Sequence, residues 1–299
     1  MSATPEATPG RRQRTVGPGR AEPGTADPTV GVRTAVRVEV AKLVGQRVAR
    51  AVLALAVVGP VLLVGALRLQ AGLPKDTLFG RQVRESGLAP SLLLLGFAGQ
   101  WLLPLLVALV GGDVVAGEDR HGTWKTLLTR SCSRSTLLAA KVLVTAGWVV
   151  AVVAALALSS LIAGLALVGT GPLLSLSGEP LPLGRGVPLV LAAWASVLPP
   201  SLAVATLALL LGVLTRSTAV AVAAPVVLML VMVLLLLVPG LGPARHLLLA
   251  SSFVSWHGLF TDPAPLWPVL RGTLVSAAWA GTCLPVAFAV LRRRDEHGG

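Results

Sequence analysis

The chain alternates between long apolar runs and short charged segments, and this alternation constrains its fold more than any other feature. A helix that spans the hydrocarbon core of a bilayer needs about 20 apolar residues, with a range of about 17–25. Six windows meet this requirement, and a helix satisfies every backbone polar group inside lipid. They are Ala51–Leu67, Ser91–Val110, Val142–Val168, Val187–Leu214, Ala219–Val238 and Val269–Leu291. We therefore predict an all-α integral membrane protein with six transmembrane helices.

The overall composition supports a membrane protein and argues against a nucleic-acid partner. The chain is 54% hydrophobic and 13% charged, whereas soluble domains carry about 25% charged residues. The net charge of +12 is explained by basic residues at helix ends, which face the anionic lipids of the cytoplasmic leaflet. The chain contains no Tyr and 5 Phe, so it lacks the aromatic platforms on which bases stack.

The distribution of Lys and Arg predicts the orientation. With the N-terminus inside, five basic residues precede the first span, five lie in segment 111–141, one follows the fourth span and three follow the sixth, against seven outside. Basic residues concentrate on the cytoplasmic side of membrane proteins. We expect a multi-pass protein of the cell membrane with both termini in the cytoplasm. A composition rich in Ala, Val, Arg and Gly and poor in Lys suggests a GC-rich, bacterial genome.

Composition also predicts the organisation of the chain outside the spans. The stretch before the first span has apolar residues at helical spacing, which predicts an amphipathic helix in the membrane interface; a simple extension of the first span is the alternative. Short helical pieces are expected between the fifth and sixth spans, with Trp256 and Trp267 at headgroup level. The expected parts are a disordered tail (1–30), the amphipathic helix (31–49), the transmembrane domain (50–291) with a cytoplasmic excursion (111–141) and an outer re-entrant loop (239–267), and a cytoplasmic tail (292–299).

Segment 111–141 interrupts the apolar body with a charged, helix-like sequence. Thr123 can cap a short helix, and the preceding Glu118 and Asp119 favour the positive end of its dipole. Apolar side chains follow at Trp124 and Leu128. The segment therefore predicts a short helix on the cytoplasmic surface that offers apolar and basic groups to a partner protein.

Familiar catalytic motifs are absent from the sequence. It contains no GxxxxGK[ST] phosphate loop, HExxH, GxSxG or CxxC, so we expect no ATP hydrolysis by this chain and no catalytic, cofactor or metal residues. The predicted spans contain no Asp, Glu or Lys, which argues against a proton- or sodium-coupled transporter. Gln100 is the polar candidate for a substrate path.

A cluster of polar residues in the outer loop gives an alternative hypothesis. His246, Ser251, His257 and Asp262 could bind a metal or form a nucleophilic site, although their spacing matches no local motif. The alternative is a membrane-embedded enzyme or metal-handling protein that uses this loop. A structural membrane protein without transport activity is a further hypothesis.

The excursion also carries a resemblance to a known family. The pattern Glu118-x-x-x-Gly122-Thr123-x-x-x-Leu127-Leu128-Thr129, followed by Ser133-Arg134 and Lys141, resembles the signature of type-2 ATP-binding-cassette exporter permeases. The stretch with Glu39, Lys42, Leu43 and Arg47 is similar to the connecting helix of that family. The resemblance runs from about residue 32 to the C-terminus. The family often has a proline before the Ser-Arg pair, where this chain has Ser131 and Cys132.

The resemblance implies a transport subunit rather than an enzyme. Two permeases, identical or homologous, would surround a central path, and a separate pair of ATPase subunits would hold ATP and Mg. A coupling helix would dock into each ATPase, with apolar contacts from Trp124, Leu127 and Leu128 and charge complementarity from Lys125, Arg130 and Arg134. Glu118 would anchor the junction to the connecting helix through Arg47 or Lys42. A path lined by apolar and small residues suits an apolar or amphipathic substrate, such as a drug, lipid or natural product, which the family resemblance implies is exported.

Overall fold

A computed structural model describes residues 31–121 and 134–296, apart from positions 71, 73–76 and 78. Within these ranges, side chains are described at positions 31–114 and 136–293. The predicted disordered tail, residues 1–30, lies outside the described residues, as do residues 122–133 of the predicted excursion.

The described part of the chain is almost entirely helical. A π-helical turn, Ala98–Leu102, joins α3 to α4, and single 3-10 helices cover Gly80–Gln82, Pro239–Leu247 and Ser255–Phe260. Two short strands, β1 (Leu173–Leu174) and β2 (Pro180–Leu181), form an antiparallel hairpin. The α-helices are α1 (Val32–Gly45), α2 (Arg47–Leu69), α3 (Ala89–Phe97), α4 (Leu103–His121), α5 (Arg134–Leu167), α6 (Leu183–Ser196), α7 (Leu198–Thr215), α8 (Thr218–Leu236), α9 (Leu249–Ser252) and α10 (Trp267–Glu296).

Within the described residues, six helical segments are long and apolar enough to cross a membrane, in agreement with the predicted all-α membrane architecture. An even number of crossings brings α1 and the end of α10 to the same end of the bundle, here called the α1 end. The β-hairpin lies at the opposite end, here called the hairpin end. The segments are Arg47–Leu69, Ala89–Val114, Thr136–Leu167, Leu183–Thr215, Thr218–Leu236 and Trp267–Arg293.

The helices extend beyond the apolar runs that predict them. Asp113 lies in α4 and Lys141 lies in α5, within the candidate spans. The expectation that the spans contain no Asp, Glu or Lys is therefore wrong. The reason is that backbone hydrogen bonding continues a helix past the point where side chains become polar.

The fourth candidate span, built from α6 and α7, lies at the centre of the bundle. Its most apolar window is 67% buried, compared with 22% for α2 and for α10. The buried core contains Val204 and Leu209 of α7, packed with apolar side chains from α4 and α5. The outer helices expose large apolar side chains such as Leu62 of α2 and Val227 of α8, as expected for helices that contact lipid.

Hydroxyl groups satisfy backbone carbonyls that prolines leave without a donor. Pro60 in α2 has no N–H for the carbonyl one turn earlier, at Ala56, and the Ser159 hydroxyl of α5 donates to that carbonyl at 3.0 Å. At the break between α6 and α7, the Val197 amide donates to the Trp194 carbonyl, and the Ser196 hydroxyl donates to the Ala193 carbonyl at 2.8 Å. Such compensation is what permits proline inside membrane helices.

Direct backbone contacts join two loops at the hairpin end. The Gly87 amide donates to the Gly169 carbonyl at 3.1 Å. A Cβ atom on Gly164 would lie 2.0 Å from the Gly87 oxygen, and one on Gly171 would lie 2.1 Å from the Glu85 oxygen. Only glycine permits these approaches, so the loop before α3 lies directly against the C-terminal end of α5.

An aromatic cluster covers the same end of the bundle. The ring centroids of Phe79 and Trp256 are 6.1 Å apart, and Phe260 lies edge-on to Phe79 at 5.5 Å. Trp256 is 1% exposed, while Trp267 is 61% exposed. The ring of Trp256 therefore packs inside the protein and is not available to lipid headgroups, whereas the ring of Trp267 is.

Candidate functional site at the α1 end of the bundle

A buried ion pair joins three helices that are distant in sequence. The Lys141 ammonium on α5 donates to Glu39 Oε2 on α1 at 3.1 Å and to the Val114 carbonyl on α4 at 2.7 Å. Lys141 is 1% exposed and Glu39 is 5% exposed. Lys42, on the solvent side of α1, contacts Glu39 Oε1 at 2.7 Å. Removing such charges from water is costly unless both partners remain in contact.

The sequence of α1 explains why Glu39 is buried. Ala35, Glu39 and Leu43 are the buried residues of this helix, and their spacing of four places them on one face. That face packs against α5. Glu39 is also the only acidic residue in a helix that carries Arg33, Arg37 and Lys42, so its carboxylate is the one group there that can pair with Lys141.

A second polar contact lies one residue before Val114. Asp113 accepts hydrogen bonds from the Gln46 amide at 3.3 Å and from the Thr218 hydroxyl at 3.4 Å. Gln46 separates α1 from α2 and has an extended backbone, with φ −71° and ψ 129°. Asp113 therefore links the bend between α1 and α2 to the start of α8.

Close helix packing reinforces this contact. A Cβ atom on Gly112 would lie 3.0 Å from the carbonyl carbon of Ala221, so α4 and α8 approach each other almost backbone to backbone. We call Glu39, Lys42, Gln46, Asp113, Lys141 and Thr218 the junction cluster. Its members hold the ends of α1, α4, α5 and α8 together, at the two helices that lead into and out of segment 122–133.

Most of the residues predicted to dock a partner cannot be compared with this geometry. The backbones of Glu118 and Arg134 are helical, but their side chains lie outside the described residues. Their assignments therefore stay predictions. Also outside the described residues are Gly122, Thr123, Trp124, Lys125, Leu127, Leu128, Arg130 and Ser133.

Four residues predicted for the coupling segment and the connecting helix can be located. Lys141, grouped with the partner-docking residues, is buried against Glu39 and does not lie on a free surface. Glu39 and Lys42, expected in the connecting helix, are brought together with it. Arg47 is exposed at the start of α2.

Sequence reasoning missed Asp113 and Gln46. Asp113 follows two glycines at the end of an apolar run, a position that resembles an ordinary loop. The sequence carries no local signal for its role, because the packing of Gly112 against α8, which continues the helix through Asp113, appears only in the structure.

The polar residues of the alternative site at the hairpin end are not grouped as metal ligands. Among the described residues, no group of three His, Cys, Asp or Glu side chains could hold a metal ion. The Ser251 hydroxyl donates to the Leu248 carbonyl at 2.8 Å. Burial, and then the positive charges of Arg271 and Arg245, lower the pKa of His246, and these arginines disfavour a nearby cation. The described residues at the hairpin end therefore offer no three-residue metal site, and the hypothesis of an enzyme that uses this loop stays a prediction.

The six candidate spans among the described residues define the chain as a multi-pass, all-α membrane protein. It belongs to the family described as protein of unknown function (DUF2705), which matches residues 87–295. A comparison with curated proteins found no match. The matched region includes Asp113 and Lys141 of the junction cluster, while Glu39, Lys42 and Gln46 precede it.

Proposed function

We propose that this chain is the permease subunit of an ATP-binding-cassette exporter, driven by a separate ATPase subunit. The observation that carries the proposal is the junction cluster. It holds α1 against α4 and α5, and those two helices flank the segment whose sequence resembles a coupling helix. Movement of segment 122–133 would therefore be transmitted to α1 and to the bundle at once.

The geometry supports a mechanical role for these contacts. Lys141 contacts α1 and α4 simultaneously, so α5 cannot shift along its axis without breaking an ion pair or a hydrogen bond. Asp113 adds contacts to the α1–α2 bend and to α8. In the proposed cycle, ATP binding by the partner moves the coupling segment, and the four helix ends move as one body.

The outer helices suit assembly with a second permease. The candidate spans α2 and α10 are the least buried, at 22% each, and α8 follows at 28%. Their exposed faces are apolar and would be shared between lipid and a second copy or a homologous permease. The substrate path would lie at this contact, and its apolar lining suits a drug, a lipid or a natural product.

The test is co-purification with the candidate ATPase in mild detergent, followed by ATPase activity in lipid. We expect Leu128→Asp and Glu118→Arg each to lower complex recovery at least about tenfold, which corresponds to about 1.4 kcal/mol. Leu247→Asp is the matched control, because Leu247 is 69% exposed at the hairpin end. Unchanged recovery and activity for both coupling-segment variants would refute the proposal.

A second variant separates docking from coupling. Glu39→Gln removes the carboxylate that contacts Lys141 but leaves segment 122–133 unchanged. We expect the ATPase to remain bound while substrate no longer stimulates its activity. Full stimulation in a stable Glu39→Gln complex would exclude a coupling role for the junction cluster.

A further inference from the structure

A partly open cavity of about 240 Å³ lies near the hairpin end, between the second candidate span and the helical pieces that follow α8. Its walls are mostly apolar and include Leu93, Gly96 and Phe97 of α3 and Trp101 of the π-helical turn. Phe97 is 57% exposed and Trp101 is 48% exposed. The cavity is therefore bordered by two aromatic side chains on the outer surface of a candidate span.

A small set of uncharged polar groups faces this apolar space. Gln100 and His257 line the cavity, and the Gln100 amide makes no hydrogen bond with any described residue. A primary amide inside a candidate membrane span is costly without a partner. None of the residues that line the cavity is Asp, Glu, Lys or Arg.

Trp256 provides a second, independent observation. It lines the cavity and is 1% exposed, yet its indole N–H has no acceptor among the described residues. A buried donor without an acceptor destabilises the folded protein, and a ligand that supplies the acceptor removes that cost. Its ring lies 4.0 Å from the His257 ring, so the unsatisfied donor and the imidazole lie on the same wall.

The backbone at this position is unusual. Residues Ala98–Leu102 form a π-helical turn inside an otherwise α-helical span. Such turns insert one residue into the helix and are frequent at functional sites. Here the inserted turn carries both Gln100 and Trp101, so the two side chains that mark the cavity depend on it.

Burial lowers the pKa of His257, against the opposing effect of a hydrogen bond with the Val254 backbone. The lowered pKa favours the neutral imidazole, whose N–H bonds to the Val254 backbone and whose other nitrogen is an acceptor. The Gln100 amide supplies donors and an acceptor. The cavity thus matches a ligand that both donates and accepts hydrogen bonds but carries no charge.

We propose that this cavity binds the head of an amphipathic molecule with uncharged hydroxyl and ester groups, of which diacylglycerol is the simplest representative. Gln100 and His257 contact the head, and the apolar tail lies outside along Phe97 and Trp101. The volume is below the roughly 300–1,000 Å³ of pockets that enclose a drug-sized ligand, which agrees with a head bound inside and a tail left in lipid. This site stands whether or not the chain is a permease.

The test uses the full-length protein in phosphatidylcholine nanodiscs with a diacylglycerol that carries a photoreactive diazirine. Crosslinked residues are mapped by mass spectrometry. Gly96→Leu places a side chain in the cavity, since a Cβ atom on Gly96 meets nothing within 4 Å. Gly147→Leu is the matched control, because Gly147 is also an exposed helical glycine with open space around its Cβ position.

We expect labels at residues 96–101 and 256–257 that are competed by unlabelled diacylglycerol and reduced at least about tenfold in Gly96→Leu but not in Gly147→Leu. Gln100→Leu should weaken competition about 2- to 12-fold, the effect of losing one hydrogen bond. Labelling that is not competed, or that is equal in the two glycine variants, would mean contact with bulk lipid and would overturn the proposal.

A further measurement identifies the source of the ligand. Lipids are extracted from purified wild-type and Gly96→Leu proteins and compared by mass spectrometry. A neutral lipid retained only by the wild type supports the site and identifies a bilayer component as its occupant. Competed labelling without a retained lipid also supports the site and identifies a molecule that enters from outside the bilayer.

Discussion

Replacing Lys141 with methionine removes the central charge of the junction cluster while keeping a side chain of similar length. At the 3.1 Å separation from Glu39, two unit charges attract by about 5 kcal/mol at an effective dielectric constant of about 20. Desolvation of both ions offsets much of this attraction. Breaking a buried pair by removing one partner still costs about 3–5 kcal/mol, because the other charge stays buried.

The surroundings of Glu39 place the expected loss near the lower end of that range. In Lys141→Met, the Glu39 carboxylate keeps its contact with Lys42 at 2.7 Å, so part of its charge remains compensated. We expect the free energy of unfolding to fall by about 3 kcal/mol. Lys42→Met is the matched control: its side chain is 40% exposed, and an exposed pair contributes about 0–1 kcal/mol.

The double variant Glu39→Leu/Lys141→Met, compared with the two single variants, measures the interaction energy between Glu39 and Lys141. With both charges gone, no buried ion is left without a partner, and apolar replacements of buried pairs are often neutral. We expect the double variant to be more stable than the sum of the single changes predicts, by about 1–3 kcal/mol. The measurement is unfolding in mixed micelles by titration with SDS. Strictly additive effects of the two substitutions would refute the buried ion pair.

Three further predictions concern other contacts. Ser159→Ala removes the hydroxyl that donates to the Ala56 carbonyl, so the free energy of unfolding should fall by about 0.5–2 kcal/mol in the same titration. Gly164→Ala places a methyl group against the Gly87 oxygen, and the strain should cost about 1–3 kcal/mol and lower the yield of folded protein. The pKa of His257 is lower in the folded protein than its ordinary value of 6.5. As the pH falls, this imidazole is protonated at a higher pH in the unfolded chain than in the folded protein, so thermal stability should decrease below about pH 6.5.

Each of these predictions has a control variant. Thr282→Ala removes an exposed hydroxyl whose partners, Trp279 and Cys283, lie in its own helix, and should change stability by less than about 0.5 kcal/mol. Gly147→Ala adds a methyl group in open space and should be tolerated. His257→Gln should flatten the pH dependence; a dependence that persists unchanged in this variant would assign it to another group.

The number, order and approximate bounds of the membrane helices could be predicted from the sequence. Each apolar run has the length that a bilayer requires, and lipid leaves the backbone no alternative to internal hydrogen bonding. At several helix ends, the predicted window is shorter than the helix in the structure. For example, α2 begins at Arg47, whereas the apolar window begins at Ala51. A window chosen by hydropathy stops at the first charged residue, but the helix continues through it.

The candidate site could be predicted only in part. Glu39, Lys42 and Lys141 were singled out by sequence, but Lys141 was assigned to a partner surface and not to Glu39. The two residues are 102 positions apart, and nothing local in the sequence indicates that they meet. Asp113 was missed for the same reason: its partners Gln46 and Thr218 come from other helices.

Hydropathy is a local property and lipid acts on each helix separately, so six membrane-crossing helices can be predicted without knowledge of their packing. Which polar groups are paired inside the bundle, and which are left without a partner, follows from the way the helices pack. Glu39 and Lys141 satisfy each other across α1 and α5, while Gln100 and the Trp256 indole remain without partners among the described residues. Pairing depends on which helix faces meet, and that is set by packing between distant segments.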